Sequence, residues 1–339
     1  MKTALIGLGM VSGTFADAIR NSNDITLKSI HARNPESRAA FLAKHPTLGA
    51  TAADSVEAIA NDPDIDFVIL ATPPNARAGI IDVLVAAGKP ILMEKPVERT
   101  LAAATAIVAQ CEAANVPLGI VLQHRTRPMV ATLHDKIPAL GALISAEVNI
   151  PWWRPQSYYN EPGRGTYARD GGGVLLSQGI HTLDLMLSLT GPAAEVTAMT
   201  ATSGFHRMES EDFVCAGVKF ANGALGQIFA STASFPGRGE TIGLHFANGS
   251  ALLEPTRLTI DWQDGRHEEI GTTGASGAGA DPMAFTSDWH RSIIEDFAQA
   301  VKTGKAPIVS GRDALTVHRL ITALEHSGRS GTRIAVDQS

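Results

Sequence analysis

The most informative chemical group in the sequence is a lysine between an acid and a proline. Glu94-Lys95-Pro96 follows a short apolar run, Pro90 to Met93, which is typical of a buried strand. Open α/β sheets bind their ligands at the carboxyl ends of strands. An ammonium there could titrate if partly buried, or stay cationic and polarise a substrate oxygen. Pro96 restricts the backbone and permits a cis peptide. The same tripeptide is also typical of an ordinary surface turn.

Two glycines near the N-terminus indicate a bound dinucleotide. Met1 to Ile6 predicts a strand, and a helical stretch begins at Ser12. Gly7 permits a sharp turn, and Gly9 lets the backbone approach a pyrophosphate on the helix N-terminus. Ser12 replaces the third glycine of this fingerprint, but its small side chain still permits close packing. A plain glycine turn is the alternative. Combined with Lys95, the fingerprint indicates redox chemistry on a nicotinamide.

The residues after the second predicted strand favour NADP over NAD. An acid that binds the ribose hydroxyls of NAD is expected about 20 residues after the fingerprint. The segment from Ser29 to Asn34 contains none. Arg33 is placed to meet a 2′-phosphate, and Arg38 could assist. A solvated loop arginine is the alternative interpretation of Arg33. We therefore expect NADP as the cofactor, with NAD as the second choice.

A polar stripe follows one face of an apolar helix predicted over Val174–Leu189. Ser177, His181, Asp184 and Ser188 recur at helical spacing and so share one face. Polar groups among leucines need partners, and a silent His181–Asp184 pair would supply them. Alternatively, His181 is a general acid/base, because imidazole titrates near neutral pH. Parallel display on one face argues against a nucleophile triad. No ligand cluster accompanies His181, so no metal site is predicted.

Composition excludes several classes of protein. A chain of 339 residues favours two domains, and 44% hydrophobic residues suffice for packed cores. A net charge of -6 argues against nucleic acid or an anionic membrane as the main partner. No apolar run reaches the roughly 18 residues of a membrane span, and no signal peptide is evident. Cys111 and Cys215 are expected to be buried free thiols. A cytoplasmic protein is therefore predicted.

The first half of the chain alternates strands and helices, which implies a parallel sheet covered on both faces. Strands are predicted at Ala4–Ile6, Ile25–Ile30, Phe67–Leu70, Pro90–Met93 and Leu118–Leu122, and helices near Ser12–Asn21, Pro35–His45, Ser55–Ala60, Ala76–Ala87 and Leu101–Ala114. We predict a dinucleotide-binding domain over residues 1–122.

The second half predicts a second domain over residues 123–339 with an antiparallel sheet. After a helix near Pro128–Ile137, strands are predicted at Leu143–Ile150, Val196–Ser203, Asp212–Phe220, Ala224–Thr232, Thr241–Ala247 and Leu258–Gln263. Asn222-Gly223 and Asn248-Gly249 are typical of hairpin turns. Gly271 to Ala280 predicts a mobile loop. Two C-terminal helices are predicted near Asp288–Thr303 and Asp313–Ser327.

Taken together, these motifs resemble the Gfo/Idh/MocA oxidoreductase family over nearly the whole chain. The resemblance is carried, in chain order, by Gly7-Leu8-Gly9, Ala71-Thr72-Pro73-Pro74, Glu94-Lys95-Pro96, and Gly171-Gly172-Gly173 through His181 and Asp184. It implies a Rossmann domain with a doubly wound parallel sheet, then an α/β domain with a large open, mostly antiparallel sheet. That sheet often forms an oligomer interface, so the resemblance implies a homodimer or homotetramer.

The resemblance also implies roles for individual residues. Lys95 matches the family's catalytic lysine, and His181 matches its catalytic histidine. Cofactor-binding candidates are Gly7, Leu8, Gly9, Met10, Val11, Arg33, Arg38, Ala71, Thr72, Pro73, Asn75, Glu94, Lys95, Gln123, Trp153 and Arg154. Substrate-binding candidates are Lys95, Arg125, Arg154, Tyr158, Arg164, Asp170, Ser177, Gln178 and His181.

Three positions depart from the family pattern. Ser177 stands where many members carry an Asp four residues before the histidine, so proton transfer would depend more heavily on His181. Ser12 replaces the third glycine of the fingerprint. Arg77 occupies a place where a histidine is frequent, and the sequence assigns it no role.

The implied reaction is hydride exchange between a nicotinamide and a carbinol of a sugar, inositol or related polyol. His181 would take the alcohol proton while Lys95 binds the same oxygen. Two alternatives stay open at this point. One is a glycoside hydrolase that uses the nicotinamide without net redox. The other is a catalytically silent dinucleotide-binding regulator.

Overall fold

A computed structural model describes residues 1–272, 278–279, 283 and 285–338. The chain divides into two compact units. The first contains Met1–Gln123 and Thr286–Leu315, and the second contains His124–Phe285 and Thr316–Ser339. Most of the loop predicted over Gly271 to Ala280 lies outside the described residues. Within the described ranges, no helix is both long and apolar enough to cross a membrane.

The elements up to residue 121 alternate as the sequence predicted. They are β1 (Lys2–Ile6), α1 (Ser12–Arg20), β2 (Thr26–His31), α2 (Pro35–Lys44), β3 (Thr51–Ala52), α3 (Val56–Ala60), β4 (Phe67–Leu70), α4 (Ala78–Ala86), β5 (Ile91–Glu94), α5 (Leu101–Ala113) and β6 (Leu118–Val121). Strand β3 was not predicted, because it has only two residues and both are exposed.

These six strands form one parallel sheet, which confirms the predicted Rossmann fold. Their order is β3-β2-β1-β4-β5-β6, so the strand order reverses between β1 and β4. Ligands of such sheets bind at that reversal, beyond the carboxyl ends of the strands. Every residue of β4, β5 and β6 is buried. This explains their continuous apolar sequences, since helices cover both faces of a parallel sheet.

The remaining elements begin with α6 (Pro128–Leu140), β7 (Leu143–Pro151), α7 (Gln156–Tyr159), a π-helical segment (Val174–Gly179), α8 (Ile180–Thr190), β8 (Ala193–Ala201), β9 (Phe213–Phe220) and β10 (Leu225–Ser231). They continue with β11 (Thr241–Phe246), β12 (Gly249–Leu253), β13 (Arg257–Trp262), β14 (His267–Gly271), α9 (Asp288–Thr303), α10 (Gly311–Ser330) and β15 (Ile334–Ala335).

The second unit contains a nine-stranded sheet in the order β14-β13-β12-β11-β7-β10-β9-β8-β15. Its pairings are antiparallel except for β10 with β7, so the predicted mostly antiparallel sheet is confirmed. The two predicted Asn-Gly turns join β9 to β10 and β11 to β12. The short strands β12, β14 and β15 were not predicted.

One face of this sheet is packed and the other is open. Along β9, Val214, Ala216 and Val218 are buried, while Cys215 and Gly217 are exposed. The prediction that Cys215 is buried was therefore wrong, because strand alternation places it on the open face. Cys111 is buried, as predicted.

Helix α9 belongs to the first unit, although the sequence prediction placed residues 286–315 in the second domain. Its buried side chains include Ile293 and Phe297, which share one face of the helix. A Cβ on Gly119 of β6 would lie 2.5 Å from the Phe297 ring, so the absence of a side chain at Gly119 permits this contact. Ser22 also donates a hydrogen bond of 2.7 Å to Glu295. These non-local contacts join α9 to β6 and to the segment that follows α1.

Candidate active site

The glycine turn after β1 has the shape that a pyrophosphate requires. Gly7 adopts a φ of +100°, and a Cβ there would lie 2.7 Å from backbone atoms of Ala71 and Thr72. Only glycine fits this close approach. A Cβ on Gly9 would meet nothing within 4 Å, so the turn is open on that side. Within the described part of the chain, no side chain caps the N-terminus of α1. An anion could therefore bind the free N–H groups of its first turn.

Three other residues of the glycine turn are accessible to solvent. Leu8, Met10 and Val11 are partly or fully exposed, and Met10 is 51% exposed. Ser12, the departure from the fingerprint, is buried and donates a hydrogen bond of 2.7 Å from its hydroxyl to the Gly9 carbonyl. The replacement therefore adds a hydrogen bond within the turn.

The two arginines after β2 differ in their surroundings. Arg33 is exposed, and its guanidinium has no hydrogen bond or ion pair among the described residues. Arg38 donates to the Ala53 carbonyl at 3.0 Å. The carboxyl end of β2 therefore presents one cation that is available to a ligand, Arg33.

The turn after β4 lies at the same sheet edge as the glycine turn, because both strands are parallel neighbours. Ala71 is buried, Thr72 is half-buried, and Pro73 and Asn75 are exposed. The Thr72 hydroxyl oxygen is buried without a hydrogen-bond partner among the residues that the structure covers. Orphaned buried hydroxyls are uncommon, so this atom is a candidate for contact with a ligand.

Lys95 leaves the carboxyl end of β5 beside a buried acid and a buried imidazole. The Lys95–Pro96 peptide is cis. Burial raises the pKa of Glu94, while the charges of Lys95 and Arg77 oppose that rise. His290 Nε2 of α9 lies 4.0 Å from Glu94 Oε1. Burial, and then the Lys95 charge, lower the pKa of His290 to about 3, so this imidazole is neutral at ordinary pH.

His181 follows a π-helical turn in the second unit. The helical region Val174–Leu189 was predicted as one α-helix, but its first six residues form a π-helix and α8 begins at Ile180. Single π turns occur frequently at functional sites. His181 is half-buried, and its ring centroid lies 4.9 Å from that of His124, with the two planes at 31°.

His124 contacts a buried ion pair between Arg127 and Glu240. Arg127 Nη2 lies 2.6 Å from His124 Nε2 and donates to Glu240 Oε1 at 2.7 Å. Trp152 Nε1 donates to the other Glu240 oxygen at 3.2 Å. Because a guanidinium can only donate, His124 Nε2 is an acceptor and the ring is neutral. His181 therefore has an uncharged aromatic neighbour.

Asp184 is bound to Arg125, which sequence reasoning had assigned to substrate. Arg125 Nε and Nη2 donate to the two Asp184 oxygens at 2.7 and 2.6 Å. Asp184 is 1% exposed. Such a bidentate pair fixes both side chains. The polar stripe on α8 thus has a structural component, since this acid anchors the helix.

The remaining predicted ligand residues of the second unit fall into two groups. The first group is engaged within the fold. Arg154 Nη1 donates to the carbonyls of Trp153, Ala278 and Gly279 at 2.8, 3.2 and 2.5 Å. Asp170 accepts from the Gly165 N–H at 2.8 Å. Ser177 donates to the Gly173 carbonyl, four residues earlier, at 2.6 Å. Gln123, which belongs to the first unit, is also buried.

The second group forms an aromatic and polar cluster. Tyr158 accepts from Arg164 Nη1 at 2.8 Å, and that guanidinium lies 4.3 Å from the Tyr158 ring centroid. Gln178 Nε2 donates to the Tyr159 hydroxyl at 3.0 Å. The Gln178 carbonyl oxygen is buried without a hydrogen-bond partner among the described residues. The same holds for the indole N–H of Trp153, whose ring packs against Phe235. These atoms could receive substrate hydroxyls.

Several buried residues were not singled out from the sequence. They are His124, Arg127, Glu240 and His290, whereas the chain neighbours of His124, Gln123 and Arg125, were assigned to cofactor and substrate. A signal existed for His290, because it precedes Ile293, Ile294 and Phe297 by three, four and seven residues and so lies on the apolar face of α9. No local signal pairs Arg127 with Glu240, which lies 113 residues away.

Comparison with known proteins identifies the class and then the family. Residues 1–121 match the model of an oxidoreductase family with an NAD-binding Rossmann fold, and residues 138–252 match the GFO/IDH/MocA C-terminal domain. The protein is therefore an NAD-binding oxidoreductase, as its sheet and glycine turn indicate. The chain belongs to the GFO/IDH/MocA family.

Relatives of known activity align with most of the chain. The 1,5-anhydro-D-fructose reductase of Ensifer adhaerens is 30% identical over 268 residues, which are 77% of this chain and 77% of that protein. The scyllo-inositol 2-dehydrogenase (NAD(+)) of Bacillus subtilis strain 168 is 26% identical over 297 residues, 82% of this chain and 80% of that protein. The WlbA dehydrogenase from Bordetella pertussis, solved with NADH and UDP-GlcNAcA, superposes with a TM-score of 0.85 at 26% identity and covers 100% of this chain and 98% of its own.

Proposed function

We propose that this protein is an NADP-preferring dehydrogenase or reductase that acts on a carbinol or ketone of a sugar, inositol or related polyol. The observation that carries the proposal is the placement of Lys95 at the carboxyl end of β5, at the same sheet edge as the glycine turn after β1. Relatives named for anhydrofructose and inositol support the substrate class. We assign cofactor binding to residues 1–122, and substrate binding and oligomerisation to residues 123–339.

The residues of the first unit fit a bound dinucleotide. The uncapped N-terminus of α1 suits a pyrophosphate, and the open side of Gly9 leaves room for it. Ala71, Thr72, Pro73 and Asn75 would line the path of the cofactor, together with Glu94 and Lys95. The exposed Arg33 would meet the 2′-phosphate of NADP, since it has no competing partner among the described residues.

The cofactor, when bound, would supply or accept the hydride. In the oxidation direction, Lys95 would donate a hydrogen bond to the carbinol oxygen, and His181 would take the hydroxyl proton on a ring nitrogen. In reduction, the same two groups would polarise the ketone, and His181 would return the proton. The neutral His124 ring beside His181 supports this role, because it adds no charge that would oppose protonation of His181.

Recognition of hydroxyl groups is assigned to the aromatic and polar cluster of the second unit. Gln178 offers a buried acceptor, and Tyr158 with Arg164 offers donors at the edge of the cluster. Trp153, which packs against Phe235, offers a further buried donor. Alternating donors and acceptors on aromatic surfaces suit a polyol, whose hydroxyls both donate and accept. Four other predicted substrate residues make contacts within the fold and would position this cluster without binding the substrate themselves: Arg125, Arg154, Asp170 and Ser177.

The test is turnover on a panel of sugars and inositols with NADP and NAD. Lys95→Ala and His181→Ala should each lower kcat/KM by roughly 10²–10⁴, the range for a lost acid or base. Lys305→Ala and His134→Ala are controls at exposed loop and helix positions and should keep full activity. Turnover that survives both active-site substitutions would refute the mechanism. Release of an aglycone without net redox would instead support a glycosidase, and tight NADP binding without turnover would support a regulator.

Cofactor preference is tested by titration of the free enzyme. NADP should bind more tightly than NAD, and Arg33→Ala should weaken NADP alone by about tenfold or more, the value of a charged hydrogen bond. Arg312→Ala removes a similarly accessible arginine of the same unit and serves as the control. Equal affinities for both cofactors, unchanged in Arg33→Ala, would contradict the assignment.

We also propose a cytoplasmic homodimer or homotetramer that associates through the open face of the second sheet. Met199 and Leu225 lie on this face and are 65% and 60% exposed. Large exposed apolar side chains on one face favour association with another copy. Light scattering of the protein should give a dimer or tetramer mass, and Met199→Lys with Leu225→Lys should reduce it.

A further inference from the structure

Arg77 is a charged residue buried between the turns that follow β4 and β5. It is 1% exposed. Its Nε and Nη2 donate to the Thr72 carbonyl at 3.0 and 2.8 Å. Its Nη1 donates to the Pro96 carbonyl and, at 3.4 Å, to the Val97 carbonyl. One guanidinium therefore holds the backbone of both turns.

The chemistry of this contact favours arginine. The planar guanidinium presents its N–H groups in a fixed fork, so it can bind two separate carbonyls at a set spacing. A lysine at this position would keep the charge but lose that geometry. Burial lowers the pKa of Arg77 to about 10, and the charges of Glu94 and Glu98 act in the opposite direction. Arg77 is therefore cationic at neutral pH.

The two turns that Arg77 joins carry the residues assigned to cofactor and substrate. Thr72 lies two residues after the end of β4, and Lys95 follows β5 directly. These strands are paired in register, Leu70 with Met93, so their carboxyl ends lie side by side. The sheet sets the spacing of the strands, but it does not set the spacing of the turns beyond them. The hydrogen bonds of Arg77 connect the two turns to each other.

We propose that Arg77 is a positioning residue that sets the Lys95 ammonium relative to the Thr72 backbone, and hence relative to the bound cofactor. This inference rests on the proposed function, in which Lys95 contacts the reacting oxygen. Because Arg77 is 1% exposed, it would act through the two turns and not by touching cofactor or substrate. Loss of its fork would let the Lys95 turn move, and a displacement of 1 Å can lower a rate by about 10².

The chain contains a matched control for a purely structural role. Lys89 is 9% exposed and donates from Nζ to the carbonyls of Asp62 and Ile65 at 2.9 and 2.7 Å. Asp62 and Ile65 precede β4, and Lys89 precedes β5. Lys89 therefore joins the amino ends of the same two strands, whereas Arg77 joins their carboxyl ends. Both are buried cations that bind backbone carbonyls.

The experiment compares Arg77→Met, Arg77→Lys and Lys89→Met in thermal stability, cofactor affinity and steady-state kinetics. We expect lower melting temperatures in both Met variants. Only Arg77→Met should also weaken cofactor binding, by about tenfold, and lower kcat by about 10². Arg77→Lys should recover melting temperature more than kcat, because the charge is kept and the fork is lost.

The inference is overturned if Arg77→Met matches Lys89→Met, with a lower melting temperature but unchanged kcat and cofactor affinity. If Arg77→Met does not fold, Arg77→Lys decides: wild-type kcat and affinity in that variant also overturn the inference. Failure of the proposed function gives a different result, namely full turnover in Lys95→Ala. In that case, weaker cofactor binding by Arg77→Met than by Lys89→Met would still show that Arg77 fixes the Thr72 turn.

Discussion

Replacing Arg125 by methionine should destabilise the second unit by about 3 kcal/mol or more, because the Asp184 carboxylate would lose the guanidinium that balances its charge. The pair is bidentate, with donor–acceptor distances of 2.7 and 2.6 Å. Asp184 has a side-chain exposure of 1%, and Arg125 has 16%. The acid thus has almost no water to replace its partner.

Replacing Asp184, the other member of the pair, should lower the unfolding free energy less than replacing Arg125. Asp184→Asn removes the buried charge together with the attraction, and the partly exposed Arg125 can regain some hydration. We expect about 1–2 kcal/mol for this variant. The double variant Arg125→Met/Asp184→Asn should cost less than the two single costs combined, with a coupling of about 1–3 kcal/mol. Arg333→Met is the control, because its pair with Glu195 in the same unit is 70% and 36% exposed and should change stability by less than about 0.5 kcal/mol.

The assay is urea unfolding followed by tryptophan fluorescence, which reports mainly on the second unit because Trp152, Trp153 and Trp262 lie there. A cost below about 0.5 kcal/mol for Arg125→Met, with additive effects in the double variant, would refute a structural role for the pair. If the KM for the substrate then rose while stability held, Arg125 would be the substrate ligand that the sequence predicted.

Two further perturbations test other parts of the structure. Glu211 accepts from the N–H groups of Gly173 and Leu175 at 3.0 Å each, and burial raises its pKa from 4.5 to about 7. The folded protein therefore gains stability by binding a proton at Glu211. This gain is fully present below pH 4.5 and is lost as pH rises through 7. Between pH 5 and 8 the unfolding free energy of the parent should fall by about 3 kcal/mol more than that of Glu211→Gln, and its melting temperature should fall more as well. Parallel pH profiles of the two proteins would contradict this. Gly7→Ala should lower both melting temperature and cofactor affinity because its Cβ meets backbone at 2.7 Å, whereas Gly9→Ala, with no atom within 4 Å, should lower affinity alone; equal melting temperatures for the two variants would refute the argument.

Much of the fold followed from local sequence patterns. The alternation of apolar runs and helical stretches predicted the order of the first unit, and the Asn-Gly pairs predicted two hairpins that the structure contains. The strands that were not predicted are short or join distant segments. β15 pairs with β8 although more than a hundred residues separate them, so no local pattern announces that pairing.

The candidate site was predictable in its residue types but not in its contacts. Lys95 and the glycine turn were recognisable because strand ends and turn chemistry are local properties. The partner of Asp184 was not, since helical spacing pointed to His181 as its partner, and Arg125 lies 59 residues away in the chain. The structure shows that Asp184 binds Arg125 and that His124 lies beside His181.

The sequence by itself determined the class of fold, the dinucleotide fingerprint, and the lysine and histidine that we assign to catalysis. Backbone propensity, periodicity and turn geometry act over a few residues, and this explains why these features can be read along the chain. Only the tertiary structure decided that Arg77 joins two strand-end turns, that His290 lies next to Glu94, and that Cys215 faces outward. Those outcomes depend on which buried charges and surfaces meet after distant segments pack, and packing partners are not encoded in local spacing.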